Sequence, residues 1–318
     1  MTQIEHFGST ASGQAVQRIS LRSESLTVSV LTLGAVLQSV RLKGVAYDLT
    51  LGSIHLSDYE GAMCYHGSVI APVVNRITGA QACVAGHPAT FQRNFLGKHC
   101  LHSGDGGTQH QLWDIADFST DQVSLALHLP DGLGGFAGNR DVTARFSLQN
   151  DQLRLDVITR SDAPTLWNAA NHSYWNLDGT DSFSGHQLQL AADHYLPTTA
   201  EFIPTGEIMD VSATPFDFRN LRPIAPQAPA LDNCFCLGRR PQPMREVLML
   251  RGSSGVTLRL STTEAGVQLY DCRHDGYRAL AIEAQNWPDA PHHKGFPDIT
   301  LAAGAKLVQS TAWTFSKG

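Results

Sequence analysis

Apolar and polar residues alternate along much of the chain, as in β-strands that bury one face. Every second residue is apolar in residues 123–129 (VSLALHL) and again in residues 142–148 (VTARFSL). Shorter segments with the same period are residues 153–157 (LRLDV) and 256–260 (VTLRL), and residues 26–42 are rich in leucine and β-branched residues. Because the side chains of a strand point alternately to opposite faces, this period predicts strands that are half buried.

Turn-forming residues separate these segments. The pairs Asp131-Gly132 and Asn150-Asp151 are examples, and such residues join antiparallel strands through tight turns. One short helix is predicted where residues 57–60 (SDYE) form a capping-box sequence. No long segment has the 3.6-residue period of a helix, and the strand–helix alternation of a parallel α/β sheet is missing. The pattern therefore predicts an all-β sandwich or barrel.

The composition agrees with a chain dominated by strands and turns. Charged residues make up 16% of the 318 residues, against about 25% in an average soluble domain, while the hydrophobic share is an ordinary 42%. Exposed helices need Lys and Glu, so this mixture favours strands. The length allows two domains of about 150 residues, but large all-β folds exceed that size as single domains. We therefore predict one domain over residues 1–318.

Charge and hydropathy exclude several classes of partner. The net charge of −6 leaves no basic field for nucleic acid or an anionic membrane, which both require clustered Lys and Arg. The chain contains neither an apolar run typical of a signal peptide nor the roughly 20 apolar residues that span a bilayer. The expected location is the cytoplasm. Six scattered cysteines do not have the spacing of a disulfide framework.

Familiar motifs for nucleotides, serine hydrolases and metalloproteases are missing from the sequence. Fourteen histidines raise the alternative of a metal site, at His99 with His102 or at the pair His292 and His293. Neither spacing matches a familiar zinc set. We therefore predict no metal ligands.

Four segments place uncommon polar residues among apolar or aromatic ones: residues 73–77, 100–104, 171–177 and 281–288. In the last, the strand period puts Glu283 on the face opposite Leu280 and Ile282, so that its carboxylate either meets solvent or lines a pocket. Two histidines, a glutamate and an arginine beside aromatic rings suit acid/base chemistry on a polyhydroxylated ring.

Structural interpretations stand beside these functional ones. Arg76 can be an ion-pair partner within the fold, and Asp232 can be a turn residue. Three aromatic residues in the same segments, Tyr174, Trp175 and Trp287, can belong to the core. A lone histidine on a strand face is more often structural than functional, so the combination of residues carries the functional hypothesis.

The segments together resemble the aldose 1-epimerase, or galactose mutarotase, family. The matching motifs occur in order along nearly the whole chain: residues 75–77 (NRI), 101–104 (LHSG), 134–138 (GGFAG), 171–177 (NHSYWNL), 231–235 (LDNCF), 266–270 (GVQLY), 282–290 (IEAQNWPDA) and 296–297 (FP). The resemblance implies a large antiparallel β-sandwich, the galactose mutarotase-like supersandwich. It also implies an isomerase that interconverts the anomers of a free aldose such as galactose or glucose without a cofactor.

Residue by residue, the resemblance implies Glu283 as the general base for the C1 hydroxyl and His172 as the general acid for the ring oxygen. His102 would stabilise charge near C1. The implied substrate-binding residues are Asn75, Arg76, Ser173, Tyr174, Asp232 and Gln268. From ordinary pKa values of about 4.3 and 6.5, we expect Glu283 to be ionised at pH 7 and His172 to need a modest upward shift, supplied by a nearby carboxylate. The partner is a monosaccharide, and the chain is expected to be a monomer or homodimer.

Departures from the family pattern leave the preferred sugar open. Ser103 stands where the family has the first glycine of a pair, Asn233 stands where it often has histidine, and the region of His292 and His293 replaces a common asparagine. One rival is a hexose-6-phosphate epimerase, which would need additional Lys or Arg around the sugar. The other is a non-catalytic sugar-binding sandwich, which would need no pair of Glu283 and His172.

Overall fold

The computed structural model describes residues 3–224, 229–273 and 276–318. The strands are β1 (Ile4–Ser9), β2 (Ala15–Arg22), β3 (Leu26–Leu31), β4 (Leu37–Leu42), β5 (Val69–Ile70), β6 (Arg76–Ile77), β7 (Gln81–Val84), β8 (His87–Thr90), β9 (Cys100–Leu101), β10 (Asp114–Phe118), β11 (Gln122–Leu129), β12 (Arg140–Gln149), β13 (Gln152–Ser161), β14 (Thr165–Leu166), β15 (Ala170–Asn171), β16 (Tyr174–Trp175), β17 (Gln187–Leu190), β18 (His194–Tyr195), β19 (Met209–Asp210), β20 (Arg222–Pro223), β21 (Asp232–Cys236), β22 (Arg245–Arg251), β23 (Val256–Thr262), β24 (Gly266–Tyr270), β25 (Leu280–Gln285), β26 (Thr300–Leu301) and β27 (Lys306–Lys317). The described residues contain a single α-helix, α1 (Leu56–Tyr59), which does not approach the length and hydropathy of a membrane span.

A nine-stranded antiparallel sheet forms one layer, in the order β10-β11-β12-β13-β27-β23-β22-β17-β20. The alternating segments of the sequence lie in β11, β12, β13 and β23, as predicted. In β12 the inner residues are buried while the outer ones are partly or fully exposed. The strand period was therefore a sound guide in this sheet.

A six-stranded antiparallel sheet, ordered β16-β25-β24-β21-β18-β19, and a four-stranded sheet, β1-β2-β3-β4, complete the large layers. Phe146 and Leu258 of the nine-stranded sheet share one core cluster with Leu269 and Ile282 of the six-stranded sheet. Because inner faces of different sheets contribute to one core, the fold is the predicted large antiparallel β-sandwich.

The predicted helix exists, but the predicted capping box is wrong. Helix α1 begins at Leu56, with His55 in the N-cap position and no side-chain cap. Glu60 instead accepts a hydrogen bond from the backbone N–H of Ala11 at 2.8 Å. Leu56 and Tyr59 are buried in a small cluster with β2 and β3 residues. Tertiary packing, rather than a local cap, therefore sets the start of this helix.

Strand β25 carries the two faces that position the site. Its Leu280, Ile282 and Ala284 belong to the main core, whereas Glu283 points to the opposite face. All six residues of β25 are nevertheless buried. The second face is covered by other parts of the chain, so Glu283 meets a cavity rather than bulk solvent.

Candidate active site

A cavity of about 390 Å³ lies on the covered face of the six-stranded sheet, lined by residues from β16, β21, β24 and β25. Loop residues from the first third of the chain close it from the other side. The lining includes seven of the nine site residues that the sequence predicts: Asn75, Arg76, His102, His172, Tyr174, Asp232 and Glu283.

The two predicted proton-transfer groups are in contact. His172 Nε2 lies 3.5 Å from Glu283 Oε1, and the residues are 4% and 2% exposed. Two backbone hydrogen bonds hold His172. Its N–H donates to the C=O of Ser68, and its C=O accepts from the N–H of Gly67. Glu283 Oε2 is buried and has no hydrogen-bond partner among the described residues. One carboxylate oxygen is thus left for a ligand.

Burial reverses the expected protonation of this pair. Removal from water raises the pKa of Glu283 to about 8, and the neighbouring Asp232 carboxylate acts in the same direction. Burial lowers the pKa of His172 to about 3, assisted by nearby His66 and Arg76. The expectation of an ionised Glu283 and an upward-shifted His172 was wrong, because low-dielectric surroundings disfavour the charged form of both groups.

His102 is held in one tautomer by the main chain. The backbone N–H of Asn75 donates to His102 Nδ1 at 3.1 Å. A backbone N–H can only donate, so the neutral ring carries its proton on Nε2. Burial lowers the pKa of His102 well below its ordinary value, and His172 and Arg76 act in the same direction. His102 is therefore a neutral hydrogen-bond donor beside the His172 ring, 5.2 Å away between centroids.

Arg76 lines the cavity and is also an ion-pair partner within the fold, so its structural interpretation is confirmed while its binding of substrate stays a prediction. Its Nη2 donates to Asp232 Oδ2 at 3.2 Å, with side-chain exposures of 11% and 15%. Asp232 is the first residue of β21, not a turn residue. The carboxylate orients the guanidinium, and Nε of Arg76 is buried without a hydrogen-bond partner in the described part of the chain.

Two predicted substrate contacts lie behind the cavity wall. Gln268 Nε2 donates to Asp232 Oδ1 at 2.6 Å, so Gln268 supports Asp232 from the sheet side. Ser173 is fully buried, and its hydroxyl donates to Asn171 Oδ1 at 2.6 Å. Neither residue is among the described residues that line the cavity. Each of them contacts another residue of the site region instead, Gln268 through Asp232 and Ser173 through Asn171.

Ser103, which departs from the family pattern, braces the segment before Asn75. Its hydroxyl accepts from the N–H of Val73 at 2.8 Å and donates to the C=O of the same residue at 3.0 Å. Glycine at this position would leave both backbone groups without that partner. The substitution therefore adds a local brace beside the site without placing a new side chain in the cavity.

The aromatic predictions divide between core and site. Trp175 and Trp287 are core residues. Tyr174 lines the cavity and stacks on the imidazoles of His172, at 5.0 Å between centroids, and of His66, at 4.0 Å. The rings of Tyr174 and His66 thus extend the stack from the proposed acid.

Six polar or aromatic lining residues were not among the predicted site residues: Tyr65, His66, Phe95, Phe202, Tyr270 and Asp271. Tyr65 packs on His102 at 4.6 Å and on His172 at 6.0 Å. Tyr270 is the last residue of the 266–270 motif and Asp271 is the next residue along the chain, so both could have been found from that motif. The other four lie outside any polar motif, and only the fold brings them to the cavity.

A second cavity, of about 630 Å³, is larger, but its histidine and its carboxylate, His87 and Asp131, are both exposed and form no ion pair with each other. It is lined by the hairpin of β7 and β8, by Phe91 and Phe136, and by residues 163–166. Volume alone does not identify the reactive site, and the smaller cavity holds the Glu–His pair. No group of three or more potential metal ligands occurs among the residues that the structure describes.

Comparisons with known proteins agree with the fold and identify a family. A family model described as aldose 1-epimerase matches residues 17–314. Galactose mutarotase from Rattus norvegicus is 31% identical, covering 98% of this chain and 97% of the relative. Aldose 1-epimerase from Escherichia coli (strain K12) is 28% identical, with 95% and 96% covered.

Solved structures show the same likeness. The GalM/aldose epimerase homologue from C. elegans superposes with a TM-score of 0.89 at 28% identity, covering 95% of this chain and 99% of that one. Galactose 1-epimerase from Lactobacillus acidophilus NCFM gives a TM-score of 0.86 at 25% identity, with 99% and 98% covered. The chain belongs to the aldose 1-epimerase family of isomerases.

Proposed function

We propose that the protein interconverts the α and β anomers of a free aldose, with Glu283 and His172 as its proton-transfer pair. The observation that carries this proposal is the buried contact between them, 3.5 Å from Nε2 to Oε1, at a cavity into which one carboxylate oxygen is left unpaired. Carboxylate and imidazole exchange protons near neutral pH, and positioned acid/base groups typically contribute about 10² to 10⁴ in rate.

The reaction breaks and remakes one ring bond. Glu283 takes the proton from the C1 hydroxyl while His172 protonates the ring oxygen, and the bond between C1 and that oxygen breaks to give the open aldehyde. Rotation about C1–C2 turns the other carbonyl face toward the ring-closing hydroxyl. Reclosure with the two roles reversed gives the other anomer and returns both protons, so no oxidant, reductant or cofactor is consumed.

The pair needs one proton in total, and burial does not change that number. A neutral Glu283 with a neutral His172 contains as many protons as an ionised Glu283 with a protonated His172. Transfer of a single proton between the two groups converts the form favoured by burial into the form that begins the reaction. The elevated pKa of Glu283, about 8, therefore preserves the one-proton pair at neutral pH.

The remaining residues bind and orient the sugar. His102, with its proton on Nε2, donates toward the ring oxygen or the oxygen on C1. Asn75, Arg76 and Asp232 hold hydroxyls, and Tyr174 offers an aromatic face beside the acid. Gln268 and Ser173 act indirectly, because the first orients Asp232 and the second orders the turn that carries His172.

The charges of the cavity favour a free sugar over a phosphorylated one. Arg76 is the single Lys or Arg side chain among the described lining residues, and it is already paired with Asp232. Two further carboxyl groups, Asp271 and Glu283, face the same space. A phosphate needs several basic groups or backbone donors, so it would meet net repulsion here. A non-catalytic binding site would have no use for the buried pair of Glu283 and His172.

Polarimetry on freshly dissolved α-D-galactose, α-D-glucose and a hexose 6-phosphate tests the proposal. We expect the protein to accelerate mutarotation of at least one free aldose and to act far more weakly on the phosphate. His172→Ala should abolish most of the acceleration while the circular dichroism spectrum stays unchanged. Wild-type protein that does no better than buffer across a panel of free aldoses would show the proposal to be wrong.

We also propose that residues 1–318 act as one domain, as a monomer or homodimer in the cytoplasm, on a monosaccharide rather than on nucleic acid or a membrane. The net charge of −6 and the core shared between the large sheets support this organisation. Light scattering coupled to size exclusion would measure the oligomeric state directly.

A further inference from the structure

Two phenylalanines from separate turns pack on the guanidinium of Arg76. The Cζ atom of Arg76 lies 4.7 Å from the ring centroid of Phe95 and 5.2 Å from that of Phe202. Both rings line the cavity. Cations are attracted to aromatic faces at these distances. The two rings thus restrict the guanidinium where Asp232 does not touch it.

Phe202 has a strained backbone conformation, which costs conformational energy. Its φ is +59°, in the left-handed region that bulky residues rarely adopt. Such strain persists where the surrounding structure holds it and concentrates at functional sites. The N–H of Phe202 donates to the C=O of Thr199 at 3.0 Å, which closes the turn and directs the ring toward Arg76.

Glu201 joins the two turns. Lys98 Nζ donates to both of its carboxylate oxygens, at 3.0 and 2.7 Å, and His99 Nε2 lies 3.1 Å from Oε2. His99 is buried, and its Nδ1 accepts from the backbone N–H of Gly79 at 3.1 Å. Because Nδ1 is an acceptor, Nε2 must carry the proton that it donates to Glu201.

This link ties three segments around the arginine. Gly79 lies two residues beyond β6, which contains Arg76, and Phe95 belongs to the same turn as His99 through their paired backbone groups. Glu201 is the residue before Phe202. The carboxylate itself is outside the described cavity lining, so it can influence a bound sugar only through the residues it holds.

We propose that Glu201 is a positioning residue of the site, which holds Phe95 and Phe202 against Arg76 so that the sugar meets an oriented guanidinium. The proposal rests on the sugar-binding role of Arg76 in the proposed function. The contact from the buried His99 ring carries the effect, although the Glu201 side chain at its other end is 42% exposed. The contact with Lys98 is exposed at both ends, and an exposed ion pair contributes little. Glu201 affects affinity and leaves the proton-transfer pair alone.

The test measures kcat and KM of Glu201→Ala, Glu201→Gln and Glu207→Ala by polarimetry on the sugar that wild-type protein uses best. Loss of a preordered side chain is expected to raise KM about three- to tenfold in Glu201→Ala, with kcat within about twofold of wild type. Glutamine still accepts from His99, so Glu201→Gln should return KM to within about twofold of wild type. Exposed Glu207, in the same region, is the matched control and should behave as wild type.

Phe202→Leu is the second variant if Glu201→Ala does not fold, because it removes the ring but leaves the contacts of Glu201. We expect the same rise in KM at constant kcat. The proposal would be overturned if Glu201→Ala left KM unchanged or lowered kcat alone. Equal KM values for the alanine and glutamine variants would also overturn it, and so would an unchanged KM in Phe202→Leu. An inactive wild-type protein would instead refute the proposed function.

Discussion

The nine-stranded sheet and the six-stranded sheet use their second faces differently. In β12, the inner side chains are buried and the outer ones reach toward solvent, whereas every residue of β25 is buried. The outer face of β13 carries Arg154 and Asp156, which pair with each other at 2.8 Å at the surface. The corresponding face of β25 carries Glu283, whose ion-pair partner within 4 Å among the described residues is the His172 imidazole and not a Lys or Arg.

The two faces differ in the free energy that burying a charged side chain costs. A surface carboxylate remains hydrated, while a buried one loses hydration and must be neutralised or paired. Glu283 shows the result as a raised pKa, and an apolar residue on β25 would avoid that cost. The unfavourably buried polar face therefore distinguishes the six-stranded sheet, to which we assign the proposed function. The nine-stranded sheet, with its polar face toward solvent, contributes stability.

Glu283→Gln gives the largest expected effect, on the functional face. We expect mutarotation to fall by about 10² to 10⁴, because the amide cannot take a proton from the C1 hydroxyl. The free energy of unfolding should stay the same or increase, since a neutral side chain is easier to bury. Polarimetry and urea unfolding measure the two quantities. A fully active variant would contradict the assignment of the base, and Thr143→Ala on the outer face of β12 is the unaffected control.

Phe146→Ala tests the stabilising face. This ring is fully buried in the main core from β12, so its removal should lower the free energy of unfolding by about 3–5 kcal/mol. The protein that remains folded should keep its kcat, because Phe146 is not among the residues that line the active-site cavity. Urea titration checks the first statement. Loss of kcat without loss of stability would break the distinction between the two sheets.

Gln268→Ala tests the support behind the cavity wall. Its hydrogen bond to Asp232 involves a charged acceptor, so we expect KM to rise about tenfold with little change in kcat. Gln152→Ala on β13 removes a glutamine that contacts Thr314 in the nine-stranded sheet and should leave KM unchanged. Steady-state polarimetry of both variants decides the point; equal KM values would show that Gln268 has no role in orienting Asp232.

A change of pH around neutrality is expected to have the smallest effect on kcat/KM. Glu283 keeps the proton of the pair up to its raised pKa of about 8, and above that pH the pair is an ionised Glu283 with a neutral His172. No proton then remains for the ring oxygen, so kcat/KM should stay level through pH 7 and fall above about 8. With ordinary pKa values the fall would begin near about 6.5. A profile centred there would contradict the effect of burial.

Local pattern was sufficient for the strands and insufficient for helix α1. Residues 142–148 form part of β12 because alternation is a property of neighbouring residues. The helix was expected at the correct place with the wrong cap, because Leu56 and Tyr59 pack against strands that are distant in sequence. Glu283 and His172, which the family resemblance implies as partners, do lie in contact, and their roles in proton transfer stay a prediction.

The motifs predicted less well which individual side chains line the cavity. Ser173 is adjacent to His172 but turns away from the cavity, and Gln268 stands behind Asp232. Phe95 and Phe202 reach the cavity from turns that contain no recognisable motif. Neighbours along a strand point to opposite faces, so a motif cannot by itself assign each of its members to the site.

By itself, the sequence determined an all-β sandwich and its family, because these depend on strand period and on motifs within short segments. The same motifs singled out Glu283 and His172 as the proposed proton-transfer pair. Only the tertiary structure decided the protonation of that pair, the aromatic contacts of Arg76 and the residues behind the wall. Those properties depend on which distant segments exclude water from the same space. Burial is a collective result of packing, and it sets the pKa values on which the chemistry depends.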